Sequence, residues 1–79
     1  MSEQVQELTY GQKAVGVKFN PSGKSEVDHI KDAYASLIDV LNEFRNGTDN
    51  PEKKRQYSVA ITEAQTSQMW AVKALTWQY

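Results

Sequence analysis

The sequence predicts an all-α protein. A short N-terminal segment and a glycine-rich loop lead into a two-helix antiparallel hairpin, assembled as a homo-oligomer. Three observations predict this. Residues 25–45 and 50–77 both carry helical apolar spacing. Only Asn46-Gly47 and a few polar residues separate them, and so short a link makes the helices antiparallel neighbours. The second helix spreads apolar side chains over more faces than one partner helix covers.

The elements follow in order. Residues 1–10 are polar apart from Val5, Leu8 and Tyr10, and suit a short helix. Residues 11–24, GQKAVGVKFNPSGK, hold three of the four glycines and one of the two prolines, too broken for a helix. Within them Val15, Val17 and Phe19 alternate with Gly16 and Lys18, the pattern of a short extended piece. Helix one is expected over 25–45, with Ser25 as N-cap and Asp28 three residues on. Its seam is Val27, Ile30, Tyr34, Leu37, Leu41 and Phe44, widened by Ile38, with Asn46-Gly47 as a left-handed stop. The acids Glu26, Asp28, Asp32, Asp39 and Glu43 read as a solvated face.

Helix two is expected over 50–77, capped by Asn50, with Pro51 at the first helical position and Glu52 favouring the dipole. Ala60, Ala64, Ser67, Ala71 and Ala74 form a ladder of small residues that admits a second backbone. Val59, Glu63, Thr66, Trp70, Lys73 and Trp77 form a neighbouring stripe, and Ile61, Val72 and Leu75 a third line.

Composition narrows the function. A chain of 79 residues makes one domain over 1–79, and buries only ~60–65% of its unfolded surface. There is no cysteine and one histidine, so neither a disulfide framework nor a metal site is expected. A net charge of −1 argues against binding long nucleic acid. No apolar run reaches the ~18 residues of a membrane span. MSEQVQELTY carries Glu3 and Glu7 and no apolar core, so a signal peptide is not expected. His29 beside Asp28 and Asp32 has the spacing of a base and its orienter, but reads as a surface residue. No catalytic residue and no cofactor is expected.

The informative stretch is 10–24. Between Glu7 and Glu26 there is no acid, while Lys13, Lys18 and Lys24 are basic. Gly11, Gly16 and Gly23 allow close backbone approach; Asn20 and Ser22 offer hydrogen bonds; Tyr10 and Phe19 offer flat faces. These are the parts of a nucleotide site, though the spacing is neither a P-loop nor a dinucleotide fingerprint. The same stretch also suits a connector folding back over the hairpin. Lys53-Lys54-Arg55 is a second basic cluster. It serves either solubility or, through Arg55, a phosphate clamp on a neighbouring chain.

Two stretches carry a resemblance: LTYGQKAVGVKFNPSGKSEVDHIK (residues 8–31) and AITEAQTSQMWAVKALTW (residues 60–77). The NPS turn before a V-D-x-I-K helix start, with the late MWAVKA, resembles the bacteriophage anti-CBASS cyclic-nucleotide sponges of the second type. These share their helical hairpin domain with Thoeris anti-defence proteins. The resemblance implies a viral immune-evasion protein of the host bacterial cytoplasm. Such a protein is a homohexamer that binds cyclic dinucleotides such as 3′,3′-cyclic GMP-AMP without cleaving them, and in some members cyclic trinucleotides. By position it implies Tyr10 as the stacking aromatic and Lys18, after Gly16, as the phosphate lysine. Phe19, Asn20 and Ser22 complete the loop, and Arg55 reaches a neighbour's ligand. Rival readings are a small helical interaction module of a phage or prophage gripping a host protein through Trp70 and Trp77, a sponge for a cyclic ADP-ribose signal, and a phosphodiesterase-like enzyme.

Overall fold

The computed structural model describes residues 7–79. Among these residues three helices follow in chain order: α1 (Tyr10–Val15), α2 (Ser25–Asn46) and α3 (Pro51–Thr76). No strand occurs among the described residues. The expected hairpin is α2 and α3, each bounded within one residue of the sequence reading. Asn50 caps α3 as expected: its Oδ1 accepts from the N–H of Glu52 at 2.9 Å and of Lys53 at 3.1 Å, and Pro51 opens the helix.

Other ends differ. Lys24, not Ser25, occupies the N-cap of α2, and makes no side-chain cap bond; Ser25 is the first helical residue. Gly47 lies at φ −87°, ψ 0°, so the left-handed stop expected there is absent. Its N–H reaches back to the carbonyls of Glu43 and Phe44 instead.

Residues 11–24 do not form one continuous loop, because their first five belong to α1. A reciprocal capping box starts that helix: Thr9 Oγ1 accepts from Gln12 N at 3.1 Å, and Gln12 Oε1 accepts from Thr9 N at 2.8 Å. Gly16, at φ +63°, ends it, with Val17 N–H closing onto Gln12 O. Val15 is therefore a buried helical residue rather than part of an extended piece. The short helix expected within 1–10 lies mostly outside the described residues; among the described residues helix begins at Tyr10.

α1 docks on both arms of the hairpin. Gly11 N donates to Asp39 Oδ1 at 2.7 Å, and Gln65 Nε2 donates to Ala14 O at 3.2 Å. The core is Val15, Ala35, Ile38, Ile61 and Ala64, flanked by Ala14, Val17, Tyr34 and Leu41. Accommodating α1 turns α2 about its axis relative to the expected seam. Its buried residues are Val27, Lys31, Ala35 and Ile38, while Leu37 and Phe44 face outward. Asp39 is consequently a docking residue rather than part of a solvated face. On α3 the buried line is Ile61, Ala64 and Gln68. The ladder of small residues divides, with Ala64 inside and Ser67 and Ala74 exposed. The thinnest dimension is 12 Å, about one helix diameter. So thin a body leaves Val59, Met69, Trp70 and Trp77 uncovered.

Candidate functional site

A cleft of about 720 Å³ opens where the end of α1, the segment 17–24, the start of α2 and the end of α3 meet. Of the residues singled out from sequence, Lys13, Gly16, Phe19, Asn20 and Ser22 line it together. Tyr10, Lys18 and Arg55 do not line it. The apolar part of the wall comes from Val15, Val27, Met69 and Val72.

The loop that frames the cleft is organised by Asn20. Its Nδ2 donates to Lys24 O at 2.8 Å and to Asp28 Oδ1 at 3.1 Å. Its Oδ1 accepts from Ser22 Oγ at 2.7 Å and from Gly23 N at 3.1 Å. That uses the hydrogen-bonding capacity of the amide. Ser22 is similarly engaged, accepting also from Lys24 N at 3.2 Å. Both residues, read from sequence as ligand donors, hold the loop's shape.

The polar residues that line the cleft include two the sequence reading did not assign to it. Lys31, which stands among the acids of α2 in the sequence, retains only 6% of its exposure. Its Nζ donates to Gly16 O at 3.0 Å and to Phe19 O, and lies 5.5 Å from the centre of the Phe19 ring. The lysine thus ties the loop to α2. Gln68 is equally buried and lines the same cleft. The signal for both was present: Lys31 stands four residues from Val27 and from Ala35, and Gln68 four from Ala64. Spacing placed them inside, while residue type suggested outside.

Tyr10 occupies a different place. Its ring lies under Arg45, whose guanidinium carbon is 5.3 Å from the ring centre. Arg45 is held in turn by Asn42 Oδ1 at 2.7 Å and Ser58 Oγ at 3.1 Å. One ring face is therefore taken, yet Tyr10 stays exposed. Arg55 lies in the first turns of α3 and pairs with Glu52 at 2.6 Å. The pair holds Glu52 below the usual carboxylate range and Arg55 above its ordinary value. His29 is exposed on α2. Among the described residues no group of His, Cys, Asp or Glu is placed to hold a metal, and no helix is long and apolar enough to cross a membrane.

A loop pinned at the mouth of a hairpin, over a cleft with buried cationic and amide groups, accompanies a sequence match of the same extent. The sequence model of the Acb2/Tad1 hairpin domain matches residues 12–76. The chain belongs to the Acb2/Tad1 hairpin family. The resemblance seen in residues 8–31 and 60–77 thus extends through the intervening helix. Acb2/Tad1 proteins are anti-CBASS and anti-Thoeris sponges, sequestering proteins rather than enzymes. No curated protein and no solved structure matches the chain.

Proposed function

We propose that this Acb2/Tad1 protein is a phage immune-evasion sponge that sequesters cyclic dinucleotides, 3′,3′-cyclic GMP-AMP among them, and so starves CBASS effectors of their activator. The observation that carries this reading is the cleft framed by Gly16, Phe19, Asn20 and Ser22, with the Lys31 ammonium in its wall. A cyclic dinucleotide brings two phosphates and two flat bases, and the site supplies a cation, an aromatic ring and a rigid loop. Tyr10, Lys18 and Arg55 lie away from this cleft within one chain. A neighbouring protomer of a homohexamer in the host cytoplasm would bring them to a shared ligand. Cyclic trinucleotides and a cyclic ADP-ribose signal are the other ligand classes to compare.

The test incubates the protein with 3′,3′-cyclic GMP-AMP, denatures it and identifies the released nucleotide. Intact ligand in stoichiometric amount is expected, and linear products would replace sequestration by hydrolysis. A native mass spectrum of the same mixture gives the stoichiometry. It also tests the rival interaction-module reading, which the exposed Trp70–Lys73–Trp77 patch favours: no nucleotide retained at all would support that reading instead.

A further inference from the structure

The loop that frames the cleft has little apolar packing to hold it. From Lys18 to Lys24 no side chain is buried. A segment with few buried contacts opens at small cost, so its shape depends on its hydrogen bonds. Three of the four bonds made by the Asn20 amide stay within residues 20–24. The fourth leaves the loop and ends on Asp28 Oδ1 at 3.1 Å, in the first turn of α2. Lys31, three residues further along the same helix, holds the carbonyls of Gly16 and Phe19. The first half of α2 thus grips the loop at two places, residues 16–19 and residue 20.

Asp28 is an exposed acid bonded to a residue that lines the cleft. Its negative charge works against an anionic ligand there. It also suits the positive end of the α2 dipole, which is by itself a reason for an acid in a first turn. The tie to Asn20 is a third role, and the three separate by their consequences. Removing the charge favours an anion. Removing the dipole partner lowers helix stability. Removing the acceptor frees the loop.

We infer that Asp28 is a positioning residue of the cleft: through Asn20 it holds residues 19–23 in the shape that receives a cyclic dinucleotide. The inference rests on the nucleotide-binding reading and adds a residue that touches no ligand. A loop ordered before the ligand arrives has less conformational entropy to lose on binding. On this account the acid aids an anion site in spite of its charge, because the order it imposes outweighs a repulsion that solvent and salt screen.

The experiment compares Asp28→Ala, Asp28→Asn and Asp32→Ala with the parent. Asp28→Asn loses the charge and keeps an oxygen that can accept from Asn20. Asp32, exposed one turn further along α2, is the charge control. The first readout is the backbone order of the ligand-free proteins by ¹⁵N relaxation. Asp28→Ala is expected to loosen the amides of Phe19, Asn20 and Gly23 and to leave those of α3 unchanged, whereas the other two variants keep the parent's order. The second readout is calorimetry with 3′,3′-cyclic GMP-AMP. Asp28→Ala is expected to bind about fivefold more weakly, at low and at high salt alike. Asp28→Asn and Asp32→Ala are expected to bind as tightly as the parent or more tightly. A loosened loop in Asp28→Ala, with no nucleotide bound by any of the four proteins, would defeat the functional reading and leave the tie between α2 and the loop standing. Tighter binding by Asp28→Ala would show the charge to dominate and overturns the inference. A lower thermal midpoint in Asp28→Ala with unchanged loop order and affinity would reduce Asp28 to a partner of the helix dipole and overturns it equally.

Discussion

Gly11 lies against the backbone of Ala35 so closely that a Cβ added at position 11 would stand 2.0 Å from the Ala35 carbonyl oxygen and 2.9 Å from Asp39 Oδ1. The absent side chain is what lets α1 reach α2 and donate the Gly11 N–H to Asp39. For an isolated helix, Gly→Ala would stabilise by about 0.8–1 kcal/mol. Here the clash is with backbone, which has no rotamer to yield. Gly11→Ala is therefore expected to destabilise the protein by about 1–3 kcal/mol, seen as a lower thermal midpoint. Its α2 and α3 helicity should survive in the far-ultraviolet circular dichroism before the transition.

That contact also explains why α1 was hidden in the sequence. By residue type Gly11 and Gly16 argue against a helix, yet the first is needed for close approach and the second only for the left-handed stop. Local propensity describes neither, because the reason for Gly11 lies in a residue far along the chain. The hairpin was legible because Asn50-Pro51 and the long apolar periodicity are local signals. The rotation of α2 was not, since it depends on where α1 docks. The lining of the cleft was legible in its loop and not in its floor. Gly16, Phe19, Asn20 and Ser22 stood out by type, whereas Lys31 and Gln68 stand at core spacing with surface chemistry.

Ala64 and Ala74, read from sequence as one ladder, should respond differently. Ala64 is part of the core with Ile38 and Ile61. Ala64→Leu overfills it and is expected to cost about 1–3 kcal/mol of protomer stability, at any protein concentration. Ala74 is exposed between Trp70 and Trp77. If that face joins protomers, Ala74→Arg keeps its helical circular dichroism and sediments as a smaller species. The two tryptophans are the only ones in the chain. Dissociation should therefore also shift the intrinsic fluorescence to longer wavelength. Unchanged sedimentation would remove this face from the assembly.

The Glu52–Arg55 pair gives a pH signature with a definite sign. Arg55, hydrogen-bonded to Glu52, lowers the Glu52 pKa, with Gln56 adding to the effect. A carboxyl whose folded pKa is depressed contributes stability that is present above its unfolded value and lost as pH falls through the folded value. The thermal midpoints of parent and Arg55→Ala should thus differ slightly at neutral pH and converge in acid. The difference should shrink with salt, because both side chains are exposed. Midpoints that run parallel across the carboxylate range would show that the pair contributes nothing.

Tyr10 and Arg45 give the last prediction. Arg45 covers one face of the Tyr10 ring and is itself pinned by Asn42 and Ser58. A base stacking on the free face would find a ring already oriented, so less ordering is lost on binding. Base–aromatic stacking is worth roughly 1–3 kcal/mol. Tyr10→Ala is therefore expected to weaken cyclic dinucleotide binding by about tenfold or more, while Tyr10→Phe, which keeps the ring, binds as the parent does. Arg45→Met removes the backing of the ring without touching a base. It should weaken binding in the same direction and less. Lys18→Ala should lose affinity in a salt-dependent way if its ammonium meets a phosphate. Calorimetry on the four variants decides the arrangement. Equal affinity in Tyr10→Ala and parent would leave Tyr10 as a packing partner of Arg45 and place the whole ligand in the cleft beside Lys31.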